Sequence, residues 1–277
     1  MAAEIARYWQ HAAVEGVDLL RARYVTHRYG RHAHETYTFG LIEAGVEEFE
    51  YAGSLQRAGA GAVALLDPDI VHTGQAATPA GWSYRVLYPD VSVVTGIAAE
   101  LGWPRGTPGF PQTVVYDPAS AVLLRSAHRA AEHGDQLASS TLLTTALAGL
   151  LRAHATAGPS RTTAPAGNAP ALVREICDLL HERLTDPPPL AELAELTGLS
   201  QFAVLRAFRS ATGLPPHAYL NQVRVRRARQ LLDQGLGPAQ VAAGTGFADQ
   251  AHLTRHFKRV VGVPPAAYQR HRLLPAS

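Results

Sequence analysis

The residues with the widest chemical range lie early in the chain, in Arg31-His32-Ala33-His34-Glu35-Thr36-Tyr37. A further histidine, His72, closes the run Leu66-Asp67-Pro68-Asp69-Ile70-Val71-His72. On a strand, alternate side chains share a face, so His32 and His34 are expected to point the same way. Three neutral imidazoles can hold zinc or a similar divalent ion. The same three can hydrogen-bond a small effector, or one another. Glu35, Tyr37 and Arg85 extend the candidate effector set, because a guanidinium pairs well with an anionic group on a ligand. Arg85 has a competing use as a partner for Glu43 or Asp90 on its own surface. His128, His133 and His154 have no ligand spacing and read as surface residues. The sequence contains no catalytic triad, phosphate-binding glycine loop or nucleophilic cysteine context.

The histidines fall in a stretch, roughly residues 30–94, where short runs rich in Tyr, Phe, Val and Leu alternate with Gly, Pro and Asp. Thr36 to Ile42, Glu47 to Tyr51, Ala62 to Leu66 and Ser83 to Tyr88 read as strands joined by turns, the pattern of an antiparallel barrel or sandwich. From Pro118 the texture becomes Ala- and Leu-rich with helical spacing. Ala119 to His133 and Gln136 to His154 are expected to form a helical hairpin broken at His133-Gly134-Asp135.

Residues 157–170, AGPSRTTAPAGNAP from Ala157, lack apolar periodicity and read as a linker. It separates a domain at 1–156 from a second, almost wholly helical one at 171–277. Charge divides the chain too. Residues 1–160 hold 11 basic and 15 acidic side chains, whereas residues 161–277 hold 14 and 8. A basic excess of this kind can release phosphate counterions on DNA. The single cysteine, Cys177, excludes an intramolecular disulfide and a Cys-based zinc site within one chain, and fits a reducing compartment. It falls in the apolar run Val173 to Leu180, as a buried or half-buried helix residue. With no signal peptide or membrane span in the sequence, the expected location is the cytoplasm.

The second domain contains a duplication. LAELAELTGLSQFAVLRAFRSATGLPPHAYL and VAAGTGFADQAHLTRHFKRVVGVPPAAY align Arg206 with Arg255, Phe208 with Phe257, Gly213 with Gly262 and Tyr219 with Tyr268. Each copy offers a short helix, a turn with Gly, an N-capping Ser200 or Asp249, and a second helix, which is helix-turn-helix grammar. In the first copy Val204, Ala207, Phe208 and Ala211 are expected to pack, leaving Gln201, Phe202, Leu205, Arg206 and Arg209 outward. In the second, Leu253, Phe257 and Val260 are expected to pack, leaving Gln250, Ala251, Thr254, Arg255 and Lys258 outward. Such a face suits the major groove, where Arg pairs with guanine, Gln with adenine, and apolar groups meet the thymine methyl. Between the copies, Ala218 to Gln234 reads as one helix with an apolar stripe of Leu220, Val223, Ala228 and Leu231. Its Arg224, Arg226, Arg227 and Arg229 are candidates for phosphate contact or for internal pairing.

Residues 171–272 resemble the DNA-binding domain of the AraC family of bacterial transcription regulators, above all in Gly246-Phe247 followed by LTRHFKRVVGVPPAAYQR. The resemblance implies base contacts from Phe202, Leu205 and Arg206 in the first reader, and from Gln250, Ala251, Thr254 and Arg255 in the second. Residues 15–95 resemble the cupin-like sensor barrel that often precedes that domain. Together these imply an α+β chain: an N-terminal antiparallel β-barrel with a helical hairpin, then an all-α domain with two helix-turn-helix units. They also imply double-stranded DNA and a small-molecule effector as partners, a homodimer, and contact with RNA polymerase. In enzymatic cupins two His, a Glu and a later third His hold a metal. Here His32, His34 and His72 match three of these, while the Glu position falls at Thr38 or Phe39, leaving Glu35 as the substitute. A metal-dependent cupin enzyme or metal sensor fused to a DNA-binding domain is therefore the competing expectation.

Overall fold

The structure, a computed structural model, describes residues 4–158 and 171–273, with side chains through 270. Most of the expected linker, from 159 to 170, lies outside the described residues. Contacts divide the described residues into two compact units, one containing residues 4–158 and the other residues 171–269.

In the first unit the strands are β1 (Ile5–Gln10), β2 (Val17–Tyr24), β3 (Arg28–His32), β4 (Thr38–Tyr51), β5 (Ser54–Gly59), β6 (Val63–Leu66), β7 (His72–Ala76), β8 (Trp82–Pro89) and β9 (Val114–Val115). All pair antiparallel. One layer runs β1-β2-β8-β4-β6-β9, and the other sets β5 and β7 on either side of the far half of β4, with β3 beyond β7. The expected barrel is thus an open one, folded over along β4. The two runs expected at Thr36 to Ile42 and Glu47 to Tyr51 are one 14-residue strand. It bends at a bulge between Ile42 and Ala44, where Glu43 is the extra residue. Gly45 follows with φ +73°, and a Cβ there would come 2.0 Å from the carbonyl oxygen of Gly81, so only glycine fits. The bulge shifts the alternation of faces. Thr38 and Gly40 face the interior before it, and odd-numbered Glu47 and Phe49 do so after it.

The outer side of the first layer packs on three helices, α1 (Val91–Glu100), α2 (Pro118–Glu132) and α3 (Gln136–His154). Asp117 caps α2 by accepting from Ala119 N, with Pro118 in the first turn, and Asp135 caps α3 by accepting from Ala138 N. The expected hairpin therefore stands. Phe39, Leu41, Leu65 and Leu87 from the sheet meet Leu124, Leu143, Leu147 and Leu150 from the hairpin in one core.

The second unit comprises α4 (Ala171–Glu182), α5 (Leu190–Thr197), α6 (Gln201–Thr212), α7 (Pro216–Asp233), α8 (Pro238–Gly244), α9 (Gln250–Val261) and α10 (Pro265–Leu273). Val173, Ile176 and Leu180 of α4 pack on Leu193, Val204, Phe208 and Leu220, and Cys177 is half-buried beside them. The apolar stripe of α7 differs from expectation. Leu220, Val225, Ala228 and Leu232 are buried, while Val223 and Leu231 are only half-buried. Arg224 is also buried: its Nε donates to the Leu184 carbonyl at 3.0 Å and its guanidinium lies over the Phe247 ring. Of the four arginines on this helix, Arg224 is thus a packing residue and Arg227 stands exposed. Among the described residues no helix is long and apolar enough to cross a membrane.

Candidate functional site

Between the two layers of the first unit lies a cavity of about 430 Å3, counting its open mouth. β3 and β7 bring His32 opposite His72 in register, with ring centroids 4.3 Å apart. His34 falls just beyond the end of β3, yet its Nε2 lies 3.2 Å from the Nε2 of His32. One ligand-capable atom from each of the three lies within 4.8 Å of the others. Two backbone carbonyls set the tautomers. His32 Nδ1 is 2.7 Å from the Gly30 carbonyl and His72 Nδ1 is 2.8 Å from that of Ile70. A carbonyl only accepts, so each Nδ1 carries its proton and each Nε2 presents a lone pair. The contact between His32 and His34 is then donated by His34. Burial, and for His32 also His72, holds both buried imidazoles below the usual histidine range, His72 at about 4.

The one carboxyl of the lining was not foreseen. Glu47 lines the cavity, the residue 9 % exposed, and burial raises its pKa to about 8. No hydrogen-bond partner of that carboxyl stands among the described residues. Phe49, Tyr29, Tyr84 and Tyr88 complete an aromatic surround, with the hydroxyls of Tyr29 and Tyr84 sharing a 2.8 Å hydrogen bond. Of the two positions considered for a cupin-type glutamate, Thr38 lines the cavity and Phe39 faces the helices.

Three expected effector residues lie elsewhere. Glu35 is exposed and outside the lining. Tyr37 is fully buried in the core against Phe39 and Phe110, its hydroxyl donating to the Pro108 carbonyl at 2.5 Å. Arg85, 5 % exposed, turns from the cavity because its β8 neighbours Tyr84 and Val86 occupy the inward face. It donates from Nε to Glu43 at 2.9 Å and from Nη1 to Glu132 and to His128 Nδ1. His128 is therefore not a surface residue. It is 1 % exposed, with Nε2 donating to the Leu20 carbonyl, and burial beside Arg85 lowers its pKa to about 3. His154 is likewise partly buried, 2.9 Å from Asp117, whereas His133 is exposed.

In the second unit the two copies share caps, closing glycines and aromatic anchors. Ser200 caps α6 through Ala203 N and Asp249 caps α9 through His252 N. Gly213 and Gly262 close them in the left-handed conformation. Phe208 and Phe257 are fully buried and meet Tyr219 and Tyr268 edge-on, each at 5.4 Å. On α6, Gln201, Phe202, Arg206 and Arg209 are exposed and Leu205 half-buried, with Phe202 73 % exposed beneath the Arg206 guanidinium. Ala207 and Ala211, expected to pack, are half-buried. On α9, Gln250, Ala251 and Arg255 are exposed, and Thr254 and Lys258 half-buried. Val261 rather than Val260 completes the buried stripe of α9. The Thr254 hydroxyl donates to the Gln250 carbonyl, leaving its methyl and one acceptor for an outside partner.

Comparison with known proteins agrees with both units. Residues 16–147 match the model of the AraC-like ligand binding domain, and residues 193–271 match that of a helix-turn-helix domain. YbfI of Bacillus subtilis, described as an uncharacterized HTH-type transcriptional regulator, is 27% identical over 238 residues, 86% of each chain. The fold resembles apo ToxT from Vibrio cholerae, with a TM-score of 0.57 at 13% identity over 93% of this chain and 98% of that one. It also resembles ToxT with a bound unsaturated fatty acid, with a TM-score of 0.52 at 13% identity over 98% and 95%. With a ligand-binding domain ahead of paired DNA-reading helices, this chain belongs to the AraC family of transcription regulators.

Proposed function

We propose that the chain is a cytoplasmic regulator that works by binding rather than catalysis, reading DNA with α6 and α9 and sensing a small molecule in the cavity. The observation that carries this is the repetition of one capped, Phe-anchored helix with a different outward face each time. Gln201, Phe202, Leu205, Arg206 and Arg209 read one major-groove segment, and Gln250, Ala251, Thr254, Arg255 and Lys258 the next, about 34 Å along the DNA. The apolar Phe202 and Leu205 suit thymine methyls, and Arg255 suits guanine. One chain then reads an asymmetric site.

The effector lies among His32, His34, His72, Tyr29, Tyr84 and Glu47. ToxT is known with a fatty acid bound. This cavity has no Lys or Arg in its lining, and its imidazoles, tyrosine hydroxyls and one carboxyl suit a polar ligand that makes hydrogen bonds. Strand β8 offers the coupling, since Tyr84 and Val86 line the cavity while Arg85 between them is bonded to His128 and Glu132 of α2. A ligand that binds one arrangement of β8 better shifts the population toward it, and α2 moves with it. The hairpin serves a homodimer, supported by Val122 and Leu137, which are 56 % and 79 % exposed. RNA polymerase is a further partner on this reading.

The test is selection of random duplexes by the full-length protein, with the winning sequence titrated at several salt concentrations. A bipartite motif with halves about one helical turn apart, bound more weakly as salt rises, is the expected result. Enrichment of a single short half, unaffected by changes in α6, would sink the two-reader reading.

A further inference from the structure

We infer that the cavity holds a divalent transition-metal ion of the zinc class on the Nε2 atoms of His32, His34 and His72, with a position left open toward the cavity. This rests on the reading of the cavity as the sensing site. Three independent observations carry it. First, the three side chains already offer nitrogen atoms within 4.8 Å of one another, and the His32 and His34 Nε2 atoms are 3.2 Å apart. Nitrogens bound to one zinc at about 2.0 to 2.1 Å in a tetrahedral arrangement lie roughly 3.4 Å from each other, so small rotations of the rings bring them to an ion.

Second, the outer contacts are those a metal-binding histidine needs. The Gly30 and Ile70 carbonyls accept from Nδ1 of His32 and His72 and aim the bare Nε2 of each inward. Such a contact fixes the ring and raises its basicity as a ligand. The hydrogen bond from His34 to His32 is the one that an ion replaces, since both Nε2 atoms must then present lone pairs. His34 can supply its own by moving its proton to Nδ1.

Third, the charge environment favours a cation. No Lys or Arg lines the cavity, Arg85 is committed to Glu43 and Glu132 on the far side of β8, and the one carboxyl in the lining, Glu47, has no hydrogen-bond partner among the described residues. Three neutral imidazoles leave the full double charge of the ion in a buried space. Glu47, in the same layer as His32 and His72, is the one carboxyl in the lining that can offset part of it. Three protein ligands also leave a position for water or for an oxygen of the effector, which makes the ion part of the recognition surface.

The experiment strips the full-length protein with a chelator and titrates it with Zn2+ and, as a spectroscopic probe, Co2+. One ion per chain is expected, with visible Co2+ bands of a low-coordinate, nitrogen-rich site and a higher melting temperature. His72→Ala should weaken binding by about tenfold or more. Because His72 is buried and its loss can unfold the sheet, His34→Ala provides the second variant, its side chain being only half-buried and beyond the strand. Equal affinity of wild type and His34→Ala, or Co2+ bands typical of six oxygen ligands, would overturn the inference. The duplex selection separates the two ideas. A chain that selects DNA but takes up no ion keeps the regulator reading and loses this one. A chain that binds the ion at the three histidines but selects no DNA does the reverse.

Discussion

The two reading helices are the same object underneath and different objects on top. Below the surface, each has a side-chain cap, a fully buried Phe and an edge-on Tyr at the same distance. Outward, α6 carries Phe202 where α9 carries Ala251, and at the half-buried edge it carries Ala203 and Ala207 where α9 carries His252 and His256. Packing thus tolerates little change at the anchors, while the exposed face is open to revision. A duplicated reader can therefore acquire a new base preference without a new fold.

The sharpest way to break this comparison is to remove the anchors. Phe208→Ala and Phe257→Ala should each destabilise the DNA-binding unit by about 3 to 5 kcal/mol, because a buried ring is lost and a cavity remains. Denaturant unfolding of the full chain with a probe in that unit measures both. If one costs much less than the other, the copies are not equivalent scaffolds, and the weaker one is held by other contacts.

The outward difference should appear next. Arg255→Ala should weaken specific binding by about 1 to 3 kcal/mol and relax base preference at one position, as expected for a bidentate guanine contact. Phe202→Ala should relax preference at a thymine in the other half-site and leave the salt slope unchanged, since no phosphate charge is neutralised. Equal losses on selected and random duplexes for Arg255→Ala would assign it to phosphate instead.

The duplication was readable because its punctuation is local. Ser200, Asp249, Gly213, Gly262 and the spacing of Phe to Tyr depend only on neighbours a few residues away, and the caps and buried rings follow from them. The cavity was readable only in part. His32, His34 and His72 stood out by type, but β8 is buried on both faces, so its alternation does not reveal which side Arg85 takes. Glu47 was hidden by the bulge at Glu43, which reverses the faces of β4 partway along and has no signature beyond Gly45. Arg224 stayed open between phosphate contact and internal pairing because its partner, the Leu184 carbonyl, is distant in sequence. His128 was misjudged for the same reason, its contacts being Arg85 and Leu20.

The caps refine the comparison at a smaller scale. Ser200→Ala and Asp249→Ala should each cost about 1 kcal/mol, with Asp249→Ala the larger. Asp249 accepts from His252 N at 2.6 Å, against 3.3 Å for Ser200 with Ala203 N, and its charge also opposes the positive end of the helix dipole. Thermal unfolding of the two variants ranks them. An order in which Ser200→Ala is the worse would mean that solvent screens the Asp249 carboxylate.

The histidine pair of α9 separates the readers by pH. Burial, and then the neighbouring His252, lowers the His256 pKa to about 4 from an ordinary 6.5. Above pH 6.5 the ring is neutral whether the chain is folded or not, and its contribution is complete. As pH falls from 6.5 toward 4 the unfolded chain takes up the proton first, so stability is lost through that window and levels off below it. The aligned position in α6 is Ala207, which has nothing to titrate. Wild type should therefore lose more stability between pH 7 and pH 5 than His256→Ala does, by a modest amount because the ring is only half-buried. The measurement is the difference between the two proteins in their unfolding midpoints at those two pH values. An identical pH response would mean that the imidazole reaches water freely, and that its contact with Phe247 is not the packing restraint that the 5.7 Å ring separation indicates.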